Sequence, residues 1–346
     1  MYKQITLITL IISSWIFAQD NSFIIKVDQV IGKNTEFWKA AGSDHLFYHS
    51  LKPAGQFLLK RMGEKGSHRY LRSHHTFNKD LKHGVIRGQN VYSEDQDGNP
   101  IYDFSNVNKV FQSYVENGIK PIVEYDYLPE LLINNVVESS RGNDEGMIII
   151  NTGPNDWKKW SDLMKAITQN FIDQFGTEEV RSWFFEVWNE PDGWPNDQLE
   201  IFYKMYDVFV DAVKSVDSEL RVGGPACYHE YFLKSFLNHV TNGINYVTGK
   251  KGTQIDFISY HIYGLSGKWL NKAPHIQPQV QRFTLSVLWL QRLLKLFPSL
   301  KGTAFHINEW GLSSNYFRTV KDYPDLIYRN SISSPLFLFK LVNSLY

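Results

Sequence analysis

From about residue 55 onward, short apolar runs alternate with longer amphipathic segments. Apolar runs bounded by turn residues are typical of buried strands, whereas apolar residues spaced three and four apart are typical of helices. Strands that alternate with helices indicate βα units and a parallel sheet. The pattern predicts strands near residues 36–41, 69–72, 120–125, 183–188, 220–223, 255–260 and 303–308.

The helix with the clearest phase is predicted between Asp156, a residue type that caps helix N-termini, and Gly176, a type that follows helix C-termini. Two further helices are predicted over residues 198–216 and 281–297. This series favours a (β/α)8 TIM barrel, whose functional residues lie at the C-terminal ends of the strands. An open doubly wound sheet is not supported, because no strand is followed by a Gly-x-Gly-x-x-Gly loop.

The count of predicted strands stops at seven, and the last predicted element is a helix over residues 335–345. We therefore expect an α/β barrel that is truncated before its eighth strand and leaves two strand edges unpaired. The predicted domains are a signal peptide at residues 1–18, an N-terminal strand or linker at 19–35 and a catalytic barrel at 36–346, incomplete at its C-terminus.

The first 18 residues combine a basic start at Lys3 with a short apolar stretch and end at Ala18, before a polar segment. This pattern is typical of a secretory signal peptide. An uncleaved membrane anchor is the alternative, although the apolar stretch is short for a bilayer span. We expect a secreted or periplasmic protein without membrane attachment once the signal peptide is removed.

Composition narrows the classes of function. Lys plus Arg equals Asp plus Glu at 36 each, so there is no basic field for a nucleic-acid partner. Cys227, the single cysteine, excludes an intramolecular disulfide and a thiolate metal cage, and we interpret it as a buried small hydrophobe. No nucleotide, metal or flavin signature is present, so we expect no cofactor. The pattern leaves the oligomeric state open.

Two carboxylates stand where predicted apolar strands end. Glu190 lies in Trp183-Phe-Phe-Glu-Val-Trp-Asn-Glu-Pro-Asp192, and Glu309 lies in Ala304-Phe-His-Ile-Asn-Glu-Trp-Gly311. Strand ends of a parallel barrel meet at one face. Glycoside hydrolysis needs such a pair, because one carboxylic acid protonates the leaving oxygen while the other carboxylate attacks or stabilises the anomeric carbon.

Six blocks of sequence, in this order, carry a resemblance to a known family. They are Tyr70-Leu-Arg-Ser-His74, Gly118-Ile-Lys-Pro-Ile-Val-Glu-Tyr125, Phe184-Phe-Glu-Val-Trp-Asn-Glu-Pro-Asp192, Leu220-Arg-Val-Gly-Gly-Pro-Ala226, Phe257-Ile-Ser-Tyr-His-Ile-Tyr263 and Ile307-Asn-Glu-Trp310. From about residue 37 to 345 the chain resembles glycoside hydrolase family 39, the β-xylosidases and α-L-iduronidases among the retaining clan A (β/α)8 hydrolases. Complete members continue into an eighth strand and a β-sandwich, which we expect this chain to lack.

The resemblance implies that Glu190 is the general acid/base and that Glu309 is the nucleophile. Asn189 is implied to bind the sugar 2-hydroxyl, with capping of the turn as the alternative. Tyr263 is implied to hold the nucleophile by a hydrogen bond, and His261 to tune the acid or to touch the substrate. His261 and Tyr263 alternate along a predicted strand and therefore share a side. A core histidine is the alternative for His261.

Arg72 and His74 share a face for the same period-two reason, and Arg72 is placed to keep the nucleophile ionised. Trp310, directly after the nucleophile, is interpreted as a sugar platform. The nearby histidines His68, His74 and His75 suggest a metal site as an alternative, although this type of catalysis requires no metal and no fourth ligand is evident.

Three further residues have open interpretations. Glu186 and Glu124 are carboxylates in apolar strands, and we interpret them as structural partners of Arg or Lys and not as additional catalysts. Trp188 fits either a sugar platform or barrel packing. In the iduronidase-like branch a basic pair follows the strand-six histidine, whereas this chain has Ile262-Tyr-Gly264 there. The resemblance therefore favours a neutral pentoside over a uronide.

The expected function is that of a retaining, β-xylosidase-like glycoside hydrolase, which cleaves O-glycosidic bonds of a plant- or algal-type polysaccharide or oligosaccharide by double displacement. The expected partner is an oligosaccharide or glycoside substrate. Two alternatives stay open: another clan A glycosidase that acts on a uronide or a different sugar, and a non-catalytic carbohydrate-binding fragment.

Overall fold

A parallel sheet of seven strands organises the part of the chain that the structure describes. A computed structural model describes residues 36, 38–43, 50–77, 81–82, 85–86, 90–134, 153–194, 198–264 and 279–312. Apart from Glu36, these residues belong to one compact unit within residues 37–346. The predicted signal peptide, the strand or linker at 19–35 and the helix at 335–345 lie outside the described residues.

The described strands are, in chain order, β1 (Ala40–Ser43), β2 (Tyr70–Ser73), β3 (Leu81–Lys82), β4 (Val85–Ile86), β5 (Tyr92–Glu94), β6 (Pro100–Tyr102), β7 (Lys120–Tyr125), β8 (Phe184–Val187), β9 (Arg221–Cys227), β10 (Phe257–Tyr263) and β11 (Ala304–Gly311). The described helices are α1 (Pro53–Lys65), α2 (Ser105–Glu116), α3 (Trp157–Phe175), α4 (Thr177–Arg181), α5 (Leu199–Val216), α6 (Glu230–Asn242) and α7 (Gln281–Leu294). Short 3-10 turns cover Glu130–Leu132, Pro191–Gly193 and Pro298–Leu300.

The main sheet runs β1-β2-β7-β8-β9-β10-β11, and each neighbouring pair in it is parallel. All seven predicted barrel strands are therefore confirmed. Two antiparallel hairpins, β3-β4 and β5-β6, lie between β2 and α2 in the chain. The sheet curves into a nearly closed barrel, since a Cβ placed on Gly42 of β1 would lie 2.9 Å from the carbonyl oxygen of Asn308 on β11. The predicted (β/α)8-like fold class is confirmed.

The expectation of a missing eighth strand stays a prediction, because residues 313–346 lie outside the described part of the chain. The three predicted helices that fall within the described residues are confirmed with one correction. Asp156 caps α3, where its side chain accepts from the Lys159 amide at 2.9 Å. The helix α7 ends at Leu294 and not near residue 297, because Pro298 begins a 3-10 turn and Phe297, just before it, has a non-helical backbone.

Aromatic residues fill the layer between helices and sheet. Phe171 of α3 and Phe111 of α2 pack on Trp183, with ring centroids 5.6 and 5.8 Å away, and all three side chains are buried. Burial of each large side chain contributes a few kcal/mol of hydrophobic stabilisation, about 2 kcal/mol. This layer holds the strands in place beneath the site. None of the helices in the described ranges has both the length and the apolar character needed to cross a bilayer.

Strand β11 is longer than predicted and contains a β-bulge. His261 pairs with Glu309, whereas Tyr260, one residue earlier on β10, pairs with Ile307, so Asn308 is the additional residue on β11. Glu309 therefore lies within β11 and not beyond its end, which corrects the sequence-based placement. A bulge re-aims side chains. As a result, the consecutive residues Asn308 and Glu309 both contact the interior polar groups described below.

Candidate active site

Glu309 contacts side chains from two other strands, β2 and β10. Tyr263 at the end of β10 donates a short hydrogen bond from its hydroxyl to Oε1 of Glu309. On the other carboxylate oxygen, Oε2, Nη1 of Arg72 lies at 3.4 Å and Nδ1 of His261 at 3.5 Å. The predicted contacts of Tyr263 and Arg72 with Glu309 are thus present in the structure.

The charged surroundings keep Glu309 ionised. Burial alone would raise the pKa of its carboxyl group, because a charge is poorly solvated away from water. The interactions with His261, His74 and Arg72 and the hydrogen bond from Tyr263 outweigh this effect and lower the pKa of Glu309 to about 2. A carboxylate that is deprotonated at neutral pH is available as a nucleophile.

Glu190 follows β8 in an unusual backbone conformation. Its φ is +48°, and the φ of Trp188, two residues earlier, is +66°; non-glycine residues seldom adopt such values. The backbone of Glu190 is held by a hydrogen bond from its amide to the carbonyl of Ala226 at 3.0 Å. Backbone strain of this kind is maintained at functional sites by the surrounding structure. Here it fixes the direction in which Glu190 leaves the strand.

The two candidate carboxylates lie close together. One ligand-type atom from each of Glu190, His261 and Glu309 falls within 4.8 Å of the other two. His261 connects the pair, since its Nδ1 is 3.0 Å from Oε1 of Glu190 and 3.5 Å from Oε2 of Glu309. Its side chain is almost fully buried but faces both acids, so the core-histidine alternative does not describe it.

Arg72 also connects Asn189 to the site. Its Nη2 donates to Oδ1 of Asn189 at 3.1 Å. The amide oxygen of Asn189 is therefore used by the protein, and the orientation of the amide is set by Arg72. His74 lies on the same side, with Nε2 at 3.8 Å from Oε2 of Glu309.

His74 is paired with two buried carboxylates. Its Nδ1 is 2.9 Å from Glu124 and 3.6 Å from Asp126. Burial disfavours the charged imidazolium, but the charge of Glu124 and the hydrogen bonds to Asp126 and Glu124 raise the pKa of His74 well above its ordinary value. His74 thus adds positive charge beside Glu309.

Glu186 and Glu124 are structural partners of Arg72, as interpreted from the sequence. Arg72 Nε donates to Oε1 of Glu186, and Arg72 Nη2 lies 2.6 Å from Oε2 of Glu124. Glu186 also accepts from Asn308 at 2.8 Å and from the Ser259 hydroxyl at 3.0 Å. Asn308 and Ser259 were missed from the sequence, although Asn308 directly precedes Glu309.

Asp192 is another residue without a role in the sequence interpretation, although it ends the Asn-Glu-Pro-Asp run. Its Oδ2 accepts from the backbone amides of Tyr228 and His229 at 2.9 and 2.6 Å. Its Oδ1 is buried and has no hydrogen-bond partner among the residues that the structure describes. Burial and the nearby charge of Glu190 raise the pKa of Asp192 to about 7. Asp192 therefore places a titratable group beside the candidate acid.

Trp188, Trp310 and Cys227 pack into or against the hydrophobic core. Trp188 is buried and packs edge to face on Tyr127 and Trp194, at 5.0 and 5.1 Å, which resolves its interpretation in favour of packing. Trp310 is partly buried and packs against the core, and its role as a sugar platform stays a prediction. Cys227 is fully buried, and burial raises the pKa of its thiol, as expected for an unreactive side chain.

Two groups of side chains have ligand-type atoms close enough to hold a cation: His74, Glu124 and Asp126, and Glu190, His261 and Glu309. In both groups the histidine lies within hydrogen-bond distance of a carboxylate of the same group. Of the nearby histidines His68, His74 and His75, only His74 belongs to such a group within the described ranges. The arrangement is thus accounted for by hydrogen bonds within the protein.

A parallel barrel with paired carboxylates at the C-terminal side of its strands is the arrangement found in (β/α)8 glycoside hydrolases. The chain matches Glycosyl hydrolases family 39 over residues 23–328, and it belongs to that family. It is 34% identical over 224 residues to a β-xylosidase from Geobacillus stearothermophilus, covering 63% of this chain and 39% of the relative.

More distant members of the family are similar as well. An α-L-iduronidase from Mus musculus is 27% identical over 203 residues, covering 51% of this chain and 30% of the relative. The crystal structure of a monomeric β-xylosidase from Caulobacter crescentus CB15 superposes with a TM-score of 0.61 and 28% identity, covering 80% of this chain and 52% of that one. The chain thus spans less than half the length of the two curated relatives.

Proposed function

We propose that this chain is a retaining glycoside hydrolase, with Glu309 as nucleophile and Glu190 as general acid/base. The observation that carries the proposal is the separation of less than 4.8 Å between carboxylate oxygens of the two residues. Retaining enzymes have carboxyl groups about 5–5.5 Å apart, whereas inverting enzymes leave about 6.5–9.5 Å for a water molecule. The short separation supports direct attack by a carboxylate.

In the first step, a Glu309 oxygen forms a bond to the anomeric carbon as the bond to the leaving oxygen breaks. The proton on Glu190 moves to that leaving oxygen. The low pKa of Glu309, about 2, supports its role as the ionised partner. Asn189 would bind the 2-hydroxyl, an interaction that strengthens in the oxocarbenium-like transition state.

In the second step, ionised Glu190 takes a proton from a water molecule as the water oxygen attacks the anomeric carbon. The bond to Glu309 breaks, which restores its carboxylate and returns Glu190 to the protonated state. Nδ1 of His261 lies 3.0 Å from Glu190 and 3.5 Å from Glu309. It therefore stays close to whichever of the two carboxylates carries the negative charge at each step.

The proposed substrate is a neutral pentoside of plant or algal type, with a β-D-xyloside first. The β-xylosidase relatives support this choice, as does the neutral Ile262-Tyr-Gly264 segment in place of the basic pair of the iduronidase-like branch. An α-L-iduronide is the second candidate, because α-L-iduronidases are also among the relatives. We further propose that the chain is exported to the periplasm or medium, which a mature N-terminus at Gln19 would support.

The test is hydrolysis of 4-nitrophenyl β-xyloside, α-L-arabinopyranoside, β-glucoside and α-L-iduronide by the purified chain. Glu190→Ala and Glu309→Ala are the comparison variants. We expect turnover of one glycoside, loss in both variants, and rescue of Glu309→Ala by azide with inversion at the anomeric carbon. A folded wild type that binds oligosaccharides but turns over no glycoside would instead favour the carbohydrate-binding alternative.

A further inference from the structure

Glu186 forms the centre of a buried hydrogen-bond group beneath the site. Its side chain has no exposed surface, and both carboxylate oxygens are occupied. Oε1 accepts from Arg72 Nε, and Asn308 Nδ2 lies 2.8 Å from each oxygen. Oε2 also accepts from Ser259 Oγ at 3.0 Å. One carboxylate on β8 thereby connects β2, β10 and β11.

Arg72 links Glu186 to Asn189 and Glu309 in the candidate active site. While Nε is bound to Glu186, Nη2 donates to Asn189 Oδ1 at 3.1 Å and Nη1 lies 3.4 Å from Glu309 Oε2. The guanidinium group is planar, so its orientation at Nε determines where both other nitrogens point. The bond to Glu186 at Nε, together with the 2.6 Å contact of Nη2 with Glu124, therefore sets the orientation from which the guanidinium contacts Asn189 and Glu309.

We propose that Glu186 is a positioning residue, which holds Arg72 in the single orientation that aligns Asn189 with the sugar 2-hydroxyl and keeps the guanidinium beside Glu309. This inference rests on the proposed function. Groups that orient contacting residues are often as necessary as the contacting residues themselves. Glu186 acts through Arg72 and does not touch the substrate.

A carboxylate is required at this position for two reasons. Arg72 is fully buried, and an unpaired buried charge is costly, so Glu186 supplies part of its neutralisation. A glutamine has one acceptor oxygen and a donor amide, and it cannot accept from both Arg72 and Asn308 at both oxygen positions. In Glu186→Gln, the amide group opposes either Arg72 or Asn308, and in both orientations Arg72 loses the negative charge that faces its Nε, so it is expected to rotate away from Asn189.

The first experiment compares Glu186→Gln with wild type on two aryl glycosides: the one that the wild type hydrolyses and its 2-deoxy counterpart. The matched control is Asp207→Asn. Asp207 is an equally buried carboxylate, on α5, which accepts from Tyr246 N at 2.8 Å and from His239 at 3.1 Å. None of these three residues contacts the catalytic pair in the structure described above.

We expect kcat/KM of Glu186→Gln to fall about tenfold more on the 2-hydroxyl substrate than on the 2-deoxy substrate, because only the former uses Asn189. In the control Asp207→Asn, kcat/KM should fall by the same factor on both substrates. Adding Asn189→Ala to Glu186→Gln should cause little further loss of kcat/KM that is specific to the 2-hydroxyl substrate. The reason is that Glu186 acts on the 2-hydroxyl through Asn189. Equal losses on both substrates in Glu186→Gln would overturn the inference.

Two further measurements keep this result separate from the proposed function. If Glu186→Gln does not fold, Ser259→Ala, which removes one donor to Glu186, should give a smaller loss with the same 2-hydroxyl preference. If the wild type turns over no glycoside, the proposed function fails, and a crystal structure of Glu186→Gln still decides the positioning role. We expect the 3.1 Å contact of Arg72 with Asn189 to be broken there; its retention would refute the inference.

Discussion

Nη1 of Arg72 lies 3.4 Å from Oε2 of Glu309, although 237 residues separate the two in the chain. Strand β2 carries Arg72 and strand β11 carries Glu309, and the two strands are not neighbours in the sheet order. The contact exists because the sheet curves until its first and last strands approach each other. Curvature of the barrel thus assembles the site.

Replacement of Arg72 by lysine tests the need for a planar, three-nitrogen group. We expect Arg72→Lys to lower kcat/KM by about 100-fold, because one ammonium cannot contact Glu186, Asn189 and Glu309 together. The control is Arg181→Lys. Arg181 also makes a two-nitrogen contact, with Asp217 at 2.8 and 3.2 Å, but it is partly exposed on α4. The control should keep full activity and lose little stability, because an exposed ion pair contributes little to folding.

Removal of the Tyr263 hydroxyl tests how Glu309 is kept ionised. The hydrogen bond from Tyr263 helps to lower the pKa of Glu309 to about 2, so Tyr263→Phe should raise that pKa. The acid limb of the kcat/KM profile should then move to higher pH by about one unit. Tyr206→Phe is the control, since the Tyr206 hydroxyl donates to the Gln254 carbonyl at 3.0 Å. An unmoved acid limb in Tyr263→Phe would contradict the assignment.

The same low pKa predicts how stability depends on acid. A carboxyl group with a lowered folded-state pKa stabilises the fold above its unfolded pKa of about 4.3. For Glu309 this contribution is lost as the pH falls toward about 2. As the pH falls between these values, the free energy of unfolding measured in urea should decrease less in Glu309→Gln than in wild type. The reason is that the variant has no carboxyl group to protonate at this position.

Asp192 should have the opposite effect on stability. Its pKa is raised to about 7 by burial and by the charge of Glu190, so the folded state binds the proton more tightly than the unfolded state. Its contribution is fully present below about pH 4 and is lost as the pH rises through about 7. The Tm of Asp192→Asn relative to wild type should therefore rise between pH 5 and pH 8, on the order of a few degrees.

Asp217 provides a control of opposite sign for Asp192. The hydrogen bonds from Arg181 lower the pKa of Asp217, so its ionised form is the stabilising one. The Tm of Asp217→Asn relative to wild type should not rise over the same pH range. If both variants behave alike, the buried environment of Asp192 is not the cause of the effect.

A methyl group on Gly42 should displace the strand that carries Glu309. The Cβ of Gly42→Ala would lie 2.9 Å from the Asn308 carbonyl oxygen, and backbone atoms cannot rotate away as a side chain can. Overpacking of this kind costs about 1–3 kcal/mol. We expect both a lower Tm and a lower kcat, measured by thermal unfolding and by aryl glycoside hydrolysis. An unchanged kcat would show that β11 tolerates the shift.

Cys227 should be unreactive in the folded protein. Its thiol is fully buried and its pKa is raised, so little thiolate is available to attack a reagent. Native protein should show no reaction with Ellman's reagent within minutes, and about one thiol per chain should react in guanidinium chloride. Rapid labelling of the native protein would contradict the burial of this side chain.

The strands and the candidate acids could be predicted because their signals are local. The run from Trp183 to Asp192 combines an apolar strand with Glu190 at its end, and α3 is bounded by Asp156 and Gly176. Period-two alternation also placed His261 and Tyr263 on one side, and both contact the carboxylates. Such patterns repeat within one element, so neighbouring residues alone reveal them.

The bulge and the buried polar group could not be predicted in this way. The extra residue Asn308 is defined by its pairing with β10, and Glu186 is defined by donors that lie 73 to 122 residues away. The pKa of Asp192 depends on burial, which follows from what packs around it. Each of these features arises from contacts between distant segments.

By itself, the sequence determined the alternation of strands and helices and the barrel class, and it singled out Glu190 and Glu309 as candidate carboxylates, because periodicity and motifs are properties of short stretches. Tertiary structure alone decided which residues hold Arg72, how close Glu190 and Glu309 lie, and where charge is buried. The physical reason is that distance and desolvation depend on how the seven described strands pack together in the nearly closed barrel, and no single stretch of sequence contains that information.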